Sequence, residues 1–152
     1  MSLTKVSYSM IDGAPLNVRD YGALGDGSTD DSAALNAAAM ALQNGQSLYF
    51  PAGEYIINTA CVLIRGKSDI AIFGDGASSI LRPTNQGPGL VKQDYHTTLA
   101  IDQCDNVTLA NLVVESKGEN YGNTDAYSGL SGGDPRTNAI INYGGSALLV
   151  SR

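Results

Sequence analysis

Carboxylate and phenol side chains occur together in one polar stretch, residues 116–137, near the C-terminal end of the chain. The stretch holds three carboxylates and two tyrosines: Glu119, Asp125 and Asp134, with Tyr121 and Tyr127. Hydrolysis of a glycosidic bond uses two carboxyl groups about 5 to 9 Å apart, and the apolar side of a sugar ring packs on aromatic faces. We therefore predict glycan contacts for Glu119, Tyr121, Asp125 and Tyr127. A solvated insertion without a ligand is the alternative.

Other chemistry has little support in the residue patterns. His96 is the only histidine, and no serine or cysteine motif stands near it to form a nucleophile pair. The acidic loop with Asp26, Asp30 and Asp31 lacks the ligand spacing of a calcium loop. No lysine followed by serine or threonine succeeds the glycines of 22–27, which argues against a phosphate loop. We assign no catalytic residue and expect neither a metal nor a cofactor.

Net charge excludes further classes of function. The chain carries −6 at pH 7, with nine scattered basic residues, so neither nucleic acid nor an anionic membrane surface is an expected partner. No apolar run reaches the ~18 residues of a membrane span, and the N-terminus lacks the layout of a secretory signal. Cys61 and Cys104 have no close cysteine neighbour, and we expect free thiols in a protein that folds in a reducing compartment.

A strand, a glycine-rich turn and a helix follow one another near the N-terminus. We predict a short strand over 16–21 and a helix over 31–43. The helix has an apolar stripe at three-four spacing, made of Leu35, Ala38, Ala39 and Leu42. Thr29 or Asp30 is positioned to cap its first turn. The dipeptide 44–45, Asn-Gly, predicts a left-handed end to the helix.

Beyond the helix the hydrophobic period changes to two, which indicates short strands separated by turns. The predicted strands cover 47–50, 54–57, 61–65, 70–73, 80–83, 98–101, 107–109, 112–115, 139–142 and 147–151. The segments repeat after about 37 to 40 residues, with Ile70 matched to Val107 and Ile72 to Leu109. A third copy begins in 144–151. Polar insertions at 84–97 and 116–137 account for the long repeat, and such insertions often form the binding face of a solenoid.

Two segments carry a resemblance to a known superfamily: KVSYSMIDGAPLNVRDYGALGDGSTDDSAAL (5–35) and SLYFPAGEYIIN (47–58). They resemble the start of the β-helix in pectate-lyase-like proteins, and within these in bacteriophage tailspikes and polysaccharide depolymerases. The resemblance implies a mainly β fold: the first coils of a right-handed parallel β-helix with an N-terminal capping α-helix. Residues 1–16 would be a lead-in, and 17–152 the cap and first coils of a longer solenoid. A small antiparallel β-sandwich with one helix is the alternative.

The same resemblance implies a function for the parent protein. It would be a homotrimeric phage tailspike that folds in the host cytoplasm, joins other virion tail components, and binds and degrades a bacterial surface polysaccharide. The paired aspartates of polygalacturonases have no counterpart here, so the resemblance transfers the fold without a catalytic site, and we expect this part of the chain to be inactive. A structural cap or adaptor of a virion fibre, or part of a secreted pectin-degrading enzyme, are the alternatives.

Overall fold

Parallel strands wind around a common apolar core in the computed structural model. It describes residues 13–59, 61–84 and 98–115, and the backbone of 140–143 and 148–151. The strands are β1 (Leu16–Asn17), β2 (Asp26–Asp30), β3 (Ser47–Phe50), β4 (Gly53–Ile57), β5 (Val62–Arg65), β6 (Ser68–Gly74), β7 (Ser79–Pro83), β8 (Leu99–Asp102), β9 (Asp105–Ala110), β10 (Val113–Val114), β11 (Ile140–Tyr143) and β12 (Leu148–Ser151). The α-helix α1 covers Ser32–Ala41, and short 3₁₀ turns cover Val18–Tyr21 and Gly76–Ser78.

The strands form three sheets, which the chain visits in turn. Sheet A has the order β1-β3-β6-β9-β12, sheet B the order β10-β7-β4-β2, and sheet C the order β11-β8-β5. All neighbouring strands in these sheets are parallel. The chain therefore folds as the right-handed parallel β-helix predicted from the sequence, with one strand per sheet in each full coil. The antiparallel sandwich is wrong.

Register confirms the sequence repeat. Ile70 pairs with Val107 and Ile72 with Leu109, in parallel, and Leu48 of the preceding coil pairs with Ile72. Leu48, Ile72 and Leu109 are all buried, so equivalent side chains of successive coils stack in one column of the core. The period-two alternation of each strand points every second side chain inward, which is why a pattern readable in one strand recurs in the next.

Helix α1 takes the place of a sheet C strand in the first coil. The chain passes β1 in sheet A, β2 in sheet B and then α1, before β3 returns to sheet A. The predicted stripe of Leu35, Ala38, Ala39 and Leu42 is buried. The helix is ten residues long, and no helix in the described part of the chain combines the length and apolarity needed to cross a membrane.

The amide of Asn36 closes the free edge of sheet C. Its Nδ2 donates to the Cys61 carbonyl and its Oδ1 accepts from the Leu63 amide, both at 2.9 Å. In a parallel sheet, a residue of one strand forms hydrogen bonds in this way with the residues before and after its partner in the neighbouring strand. The side chain therefore stands in for a strand residue paired with Val62, at an edge that would otherwise present unpaired backbone groups.

We expect Asn36→Ala to lower the free energy of unfolding by about 2 kcal/mol, because the hydrogen bonds to the Cys61 carbonyl and from the Leu63 amide are lost. Urea unfolding followed by circular dichroism measures the change. Gln43→Ala, which truncates an exposed amide just beyond the helix, is the control and should shift stability by less than about 0.5 kcal/mol. Equal effects of the two substitutions would show that Asn36 does not seal the edge.

The strand predicted over 16–21 is wrong beyond Asn17. Residues Val18–Tyr21 form a 3₁₀ turn, because the Asn17 Oδ1 accepts from the Arg19 amide at 3.0 Å and Gly22 ends the turn at φ 99°. Immediately afterwards, residues predicted as a turn form β2, which pairs with β4. Positive φ values at Gly25 and Gly27 allow the extended chain to bend there.

The predicted left-handed end of the helix is also misplaced. The helix ends at Ala41, and Leu42 is already extended (φ −59°, ψ 133°). Gly45 has a positive φ of 78°, but it lies in the turn towards sheet A, where its amide donates to the Ser68 carbonyl at 3.0 Å. The Asn-Gly pair thus shapes the corner of the solenoid.

Candidate functional site

The predicted glycan-contacting residues Glu119, Tyr121, Asp125 and Tyr127 lie outside the described residues. The strands on either side of them are described and fix where their stretch leaves the solenoid. β10 belongs to sheet B and β11 to sheet C. The preceding insertion, 84–97, likewise leaves β7 of sheet B and returns in β8 of sheet C. Both insertions therefore emerge at the same corner, between sheets B and C.

The two insertions emerge one coil apart. β7 pairs with β10 and β8 with β11, which places their points of departure about 4.8 Å apart along the solenoid. We call this corner the insertion corner and define it by Pro83, Thr84, Thr98 and Glu115, the described residues that flank the insertions. It is the candidate functional site, because the described residues that flank both polar stretches lie there on adjacent coils.

A buried threonine joins the two insertions at this corner. Thr98 is fully buried, and its Oγ1 donates to the Glu115 carbonyl at 2.5 Å. Its own carbonyl accepts from the Val62 amide at 3.0 Å. The residue that follows the first insertion is thus bonded to the residue that precedes the second, so the corner is anchored to the sheets at both levels.

An arginine between two glutamates lies on the outer face of sheet B beside the insertion corner. Arg82 Nε donates to Glu115 Oε2 at 2.6 Å and its Nη2 to Glu115 Oε1 at 3.1 Å, while Nη1 donates to Glu54. The three side chains come from consecutive coils. The hydrogen bond to Glu115 raises the pKa of Arg82, and the reciprocal bond from Arg82 lowers the pKa of Glu115.

These ion pairs hold coils together, and Glu115 does not have the properties of an acid catalyst. A general acid for glycosidic cleavage is a carboxyl group whose pKa is raised, so that it carries a proton at neutral pH. The lowered pKa of Glu115 keeps that group ionised. Asp102, a second carboxylate in the described ranges, pairs with Arg65 at 2.5 Å on sheet C. In the described ranges, both carboxylates are thus engaged in ion pairs between coils.

The acidic loop before α1 has a structural role. Asp30 accepts from the Ser32 amide at 3.0 Å, the Ser32 hydroxyl at 2.5 Å and the Thr59 hydroxyl at 3.0 Å. Burial raises the pKa of Asp30, but these hydrogen bonds outweigh it, and the pKa lies below its ordinary value. Asp26 accepts from the amides of Thr29 and Ser28, which lower its pKa strongly. No group of metal-ligating side chains occurs among the residues that the structure describes.

The residue at the helix N-cap position is Asp31, next to the predicted Thr29 and Asp30. Asp31 is buried, and its carboxylate accepts from the Leu24 amide at 2.7 Å and the Gly25 amide at 3.0 Å. Its side chain makes no capping bond to the helix. Of the two predicted residues, Asp30 bonds the first amide of the helix, whereas the Thr29 hydroxyl donates to Asp26.

We expect stability to fall steeply as the pH drops below about 4. The pKa values of Asp30 and Glu115 are lowered in the fold, so the unfolded chain binds protons first. Their stabilising contribution is full above the ordinary values near 4 and is lost as the pH falls through the lowered values. Urea midpoints between pH 7 and 2.5 measure this. Glu115→Gln should flatten the dependence, and Asp20→Asn, an exposed carboxylate, should leave it steep. If the urea midpoints of Glu115→Gln and Asp20→Asn fell equally steeply with pH, Glu115 would not be a source of the pH dependence.

A partly exposed aromatic pair lies on the outer face of sheet A. Tyr49 and Phe73 stack with ring centroids 5.1 Å apart at 26°. The Tyr49 hydroxyl bonds both oxygens of Asp75 at 2.9 Å, which fixes the ring. We did not predict this pair from the sequence. The sequence does contain a signal for the pair. Phe50 and Ile72 point inward, so Tyr49 and Phe73 beside them occupy outward positions of strands in adjacent coils.

The fold and the insertion corner define a class, the parallel β-helix proteins with insertions at one corner. The family model described as rhamnogalacturonase A/epimerase, pectate lyase-like matches residues 16–128, and the chain belongs to this family. The predicted membership of the pectate-lyase-like group is thereby confirmed.

Relatives extend this result. Mannuronan C5-epimerase AlgE5 of Azotobacter vinelandii is 32% identical over 117 residues, covering 68% of this chain and 11% of that protein. Rhamnogalacturonase A of Aspergillus niger is 40% identical over 75 residues, covering 49% and 16% respectively. The solved structure of ORF18 from Geobacillus virus E2 matches with a TM-score of 0.54 at 22% identity, over 64% of this chain and 20% of that one. The chain thus spans under a fifth of the length of these two relatives.

Proposed function

We propose that the chain is the N-terminal part of a phage tailspike whose full-length form binds and degrades a polysaccharide on the host surface. The observation that carries the proposal is the insertion corner, where two polar insertions leave adjacent coils on the same side. Family membership supports it, because the relatives' names refer to mannuronan and rhamnogalacturonan chemistry. Glu119, Tyr121, Asp125 and Tyr127 of the second insertion are the proposed glycan contacts.

The phage assignment depends on the resemblance of residues 5–35 to tailspike segments that follow a virion anchor. It implies a homotrimer attached to other virion tail components, after folding in the host cytoplasm. The likeness to the viral structure supports the fold and carries no argument for a role. The reading frame around this chain discriminates further: an anchoring domain upstream favours the tailspike, and a secretory signal favours a pectin-degrading enzyme.

A structural cap or adaptor is the second candidate. The observation that favours it is the cover on the first edge of sheet C, where α1 and the Asn36 amide lie beside β5. The described ion pairs of Glu115 and Asp102 join coils, as a purely structural module would require. In this case the chain would bind no glycan.

Binding of the purified chain to a panel of polysaccharides tests the proposal. We expect binding to a bacterial capsule or lipopolysaccharide, weakened at least tenfold by Tyr121→Ala with Tyr127→Ala, a loss of about 1.4 kcal/mol. Glu119→Gln and Asp125→Asn should also weaken it, and the control Asp20→Asn should not. We expect no release of reducing ends or unsaturated uronates. Failure to bind any member would favour the adaptor, and turnover would show that this part of the chain already holds a catalytic site.

A further inference from the structure

The corner between α1 and β3 holds the only Asn-Gly dipeptide of the sequence, Asn44–Gly45. Both residues are exposed, so water reaches them. Because glycine has no Cβ, its backbone nitrogen can approach the side-chain amide of the preceding asparagine without steric hindrance. Every other asparagine of the sequence is followed by a residue with a side chain. Asn44 is therefore the position at which spontaneous deamidation meets the least steric resistance.

We propose that Asn44–Gly45 is a deamidation site that the folded corner keeps closed, so that it reacts only in chains whose corner has opened. The reaction needs water and no enzyme. The Gly45 nitrogen loses its proton and bonds to the Asn44 Cγ, the Cγ–Nδ2 bond breaks, and ammonia leaves. Water then opens the resulting succinimide ring at one of its two carbonyl–nitrogen bonds, which leaves either aspartate or isoaspartate at position 44.

Both reacting groups are hydrogen-bonded to the same residue of the next coil. The Gly45 amide donates to the Ser68 carbonyl at 3.0 Å, and the Asn44 Oδ1 accepts from the Ser68 amide at 3.0 Å. The Gln46 amide closes the turn by donating to the Gln43 carbonyl at 3.1 Å. Loss of the Gly45 proton removes the first of these bonds, and the ring forms at the side chain that the second one holds. Deamidation of the folded chain therefore requires a local opening of the corner, and its rate scales with the open fraction.

The isoaspartate product should re-form the corner poorly. Isoaspartate carries the main chain through the former side chain, which adds one carbon just before Gly45. The Gln46 carbonyl accepts from the Ala71 amide at 3.2 Å, so sheet A fixes the chain directly after the turn. Aspartate leaves the main chain unchanged and keeps an oxygen for the Ser68 amide. We expect the isoaspartyl chain to unfold at a lower urea concentration than Asn44→Asp, and equal midpoints would contradict the fixed geometry of the closed corner.

Peptide mapping by mass spectrometry tests the proposal on the full chain. The chain is incubated at mildly alkaline pH, once folded and once unfolded in guanidinium chloride, and deamidation at position 44 is followed over time. We expect the folded chain to react at least about tenfold more slowly, which corresponds to about 1.4 kcal/mol for opening the corner. Asn106 and Asn111, which precede valine and leucine, are internal controls and should react slowly in both states. Equal rates at Asn44 in the two states would overturn the proposal, as would faster reaction of either control in the unfolded chain.

Two substitutions at Ser68 test the hydrogen bonds directly. Ser68 is the first residue of β6, a position that tolerates proline. Ser68→Pro removes the N–H that donates to the Asn44 Oδ1 and should speed deamidation of the folded chain several-fold, with circular dichroism unchanged. Ser68→Ala retains that N–H, and its rate should equal that of the wild type. An unchanged rate in folded Ser68→Pro would show that the Ser68 amide does not close the site. The comparison of folded and unfolded wild type needs no substitution and decides the proposal if the proline variant does not fold.

Discussion

Phe50→Ala is expected to lower the free energy of unfolding by about 3 to 5 kcal/mol. Phe50 is fully buried, and its ring meets that of Tyr55 edge to face, with centroids 5.7 Å apart at 82°. Truncation leaves a cavity between coils that stack rigidly on both sides, and close-packed surroundings relax only in part. Urea unfolding measures the loss, which corresponds to roughly 6 to 20 °C in Tm for a domain of this size.

Phe73→Ala is the matched control, because it removes the same side chain from the outer face of the next strand in sheet A. Phe73 is partly exposed and stacks on Tyr49. Its loss should cost about 1 kcal/mol, the contribution of one aromatic pair. Similar losses for Phe50 and Phe73 would contradict the inward and outward assignment of the strands.

Gly74→Ala is expected to destabilise the protein by about 3 kcal/mol, at the upper end of the range for overpacking. A Cβ at Gly74 would lie 2.6 Å from the Ser79 Cβ and 2.8 Å from the Asn111 carbonyl. Neither neighbour can retreat easily. Ser79 is buried, its hydroxyl donates to the Phe50 carbonyl at 2.8 Å, and it accepts from the Asp75 amide at 2.8 Å. The loss is read from urea midpoints or Tm.

Gly76→Ala separates this steric effect from backbone strain. Gly76 has a positive φ of 81°, and a Cβ there would meet nothing within 4 Å. Its substitution should cost about 1 kcal/mol, the price of placing alanine in the left-handed region. If Gly76→Ala proved the more damaging, conformational strain and not the close approach of adjacent coils would limit substitution at this corner.

Glutamate and aspartate side chains show how tertiary structure assigns roles that sequence leaves open. Asp102 and Glu115 are carboxylates to which the sequence alone assigns no role. In the fold each faces an arginine of the preceding coil, Arg65 and Arg82. The partners are distant along the chain, and local spacing contains no information about them.

The prediction for the glycan-contacting stretch came from composition, since carboxylates and tyrosines occur together in the polar stretch 116–137. Sequence also indicated an insertion at 84–97. Which side of the solenoid each insertion leaves could not be read from either segment. The sheet membership of β7, β8, β10 and β11 decided it, because it places the strands that flank the two insertions at one corner of the solenoid.

The sequence by itself determined the elements whose signal is local. Alternating apolar residues identified the strands from Ser47 onward, the three-four stripe identified α1, and the match of Ile70 with Val107 identified the repeat. These patterns reflect side-chain geometry within one element. Tertiary structure alone decided β2 and the seal made by Asn36. β2 is extended because β4 pairs with it, and the Asn36 amide matters because α1 lies beside an open sheet edge. Both depend on partners about 25 residues away in the chain, which meet only when the coil closes.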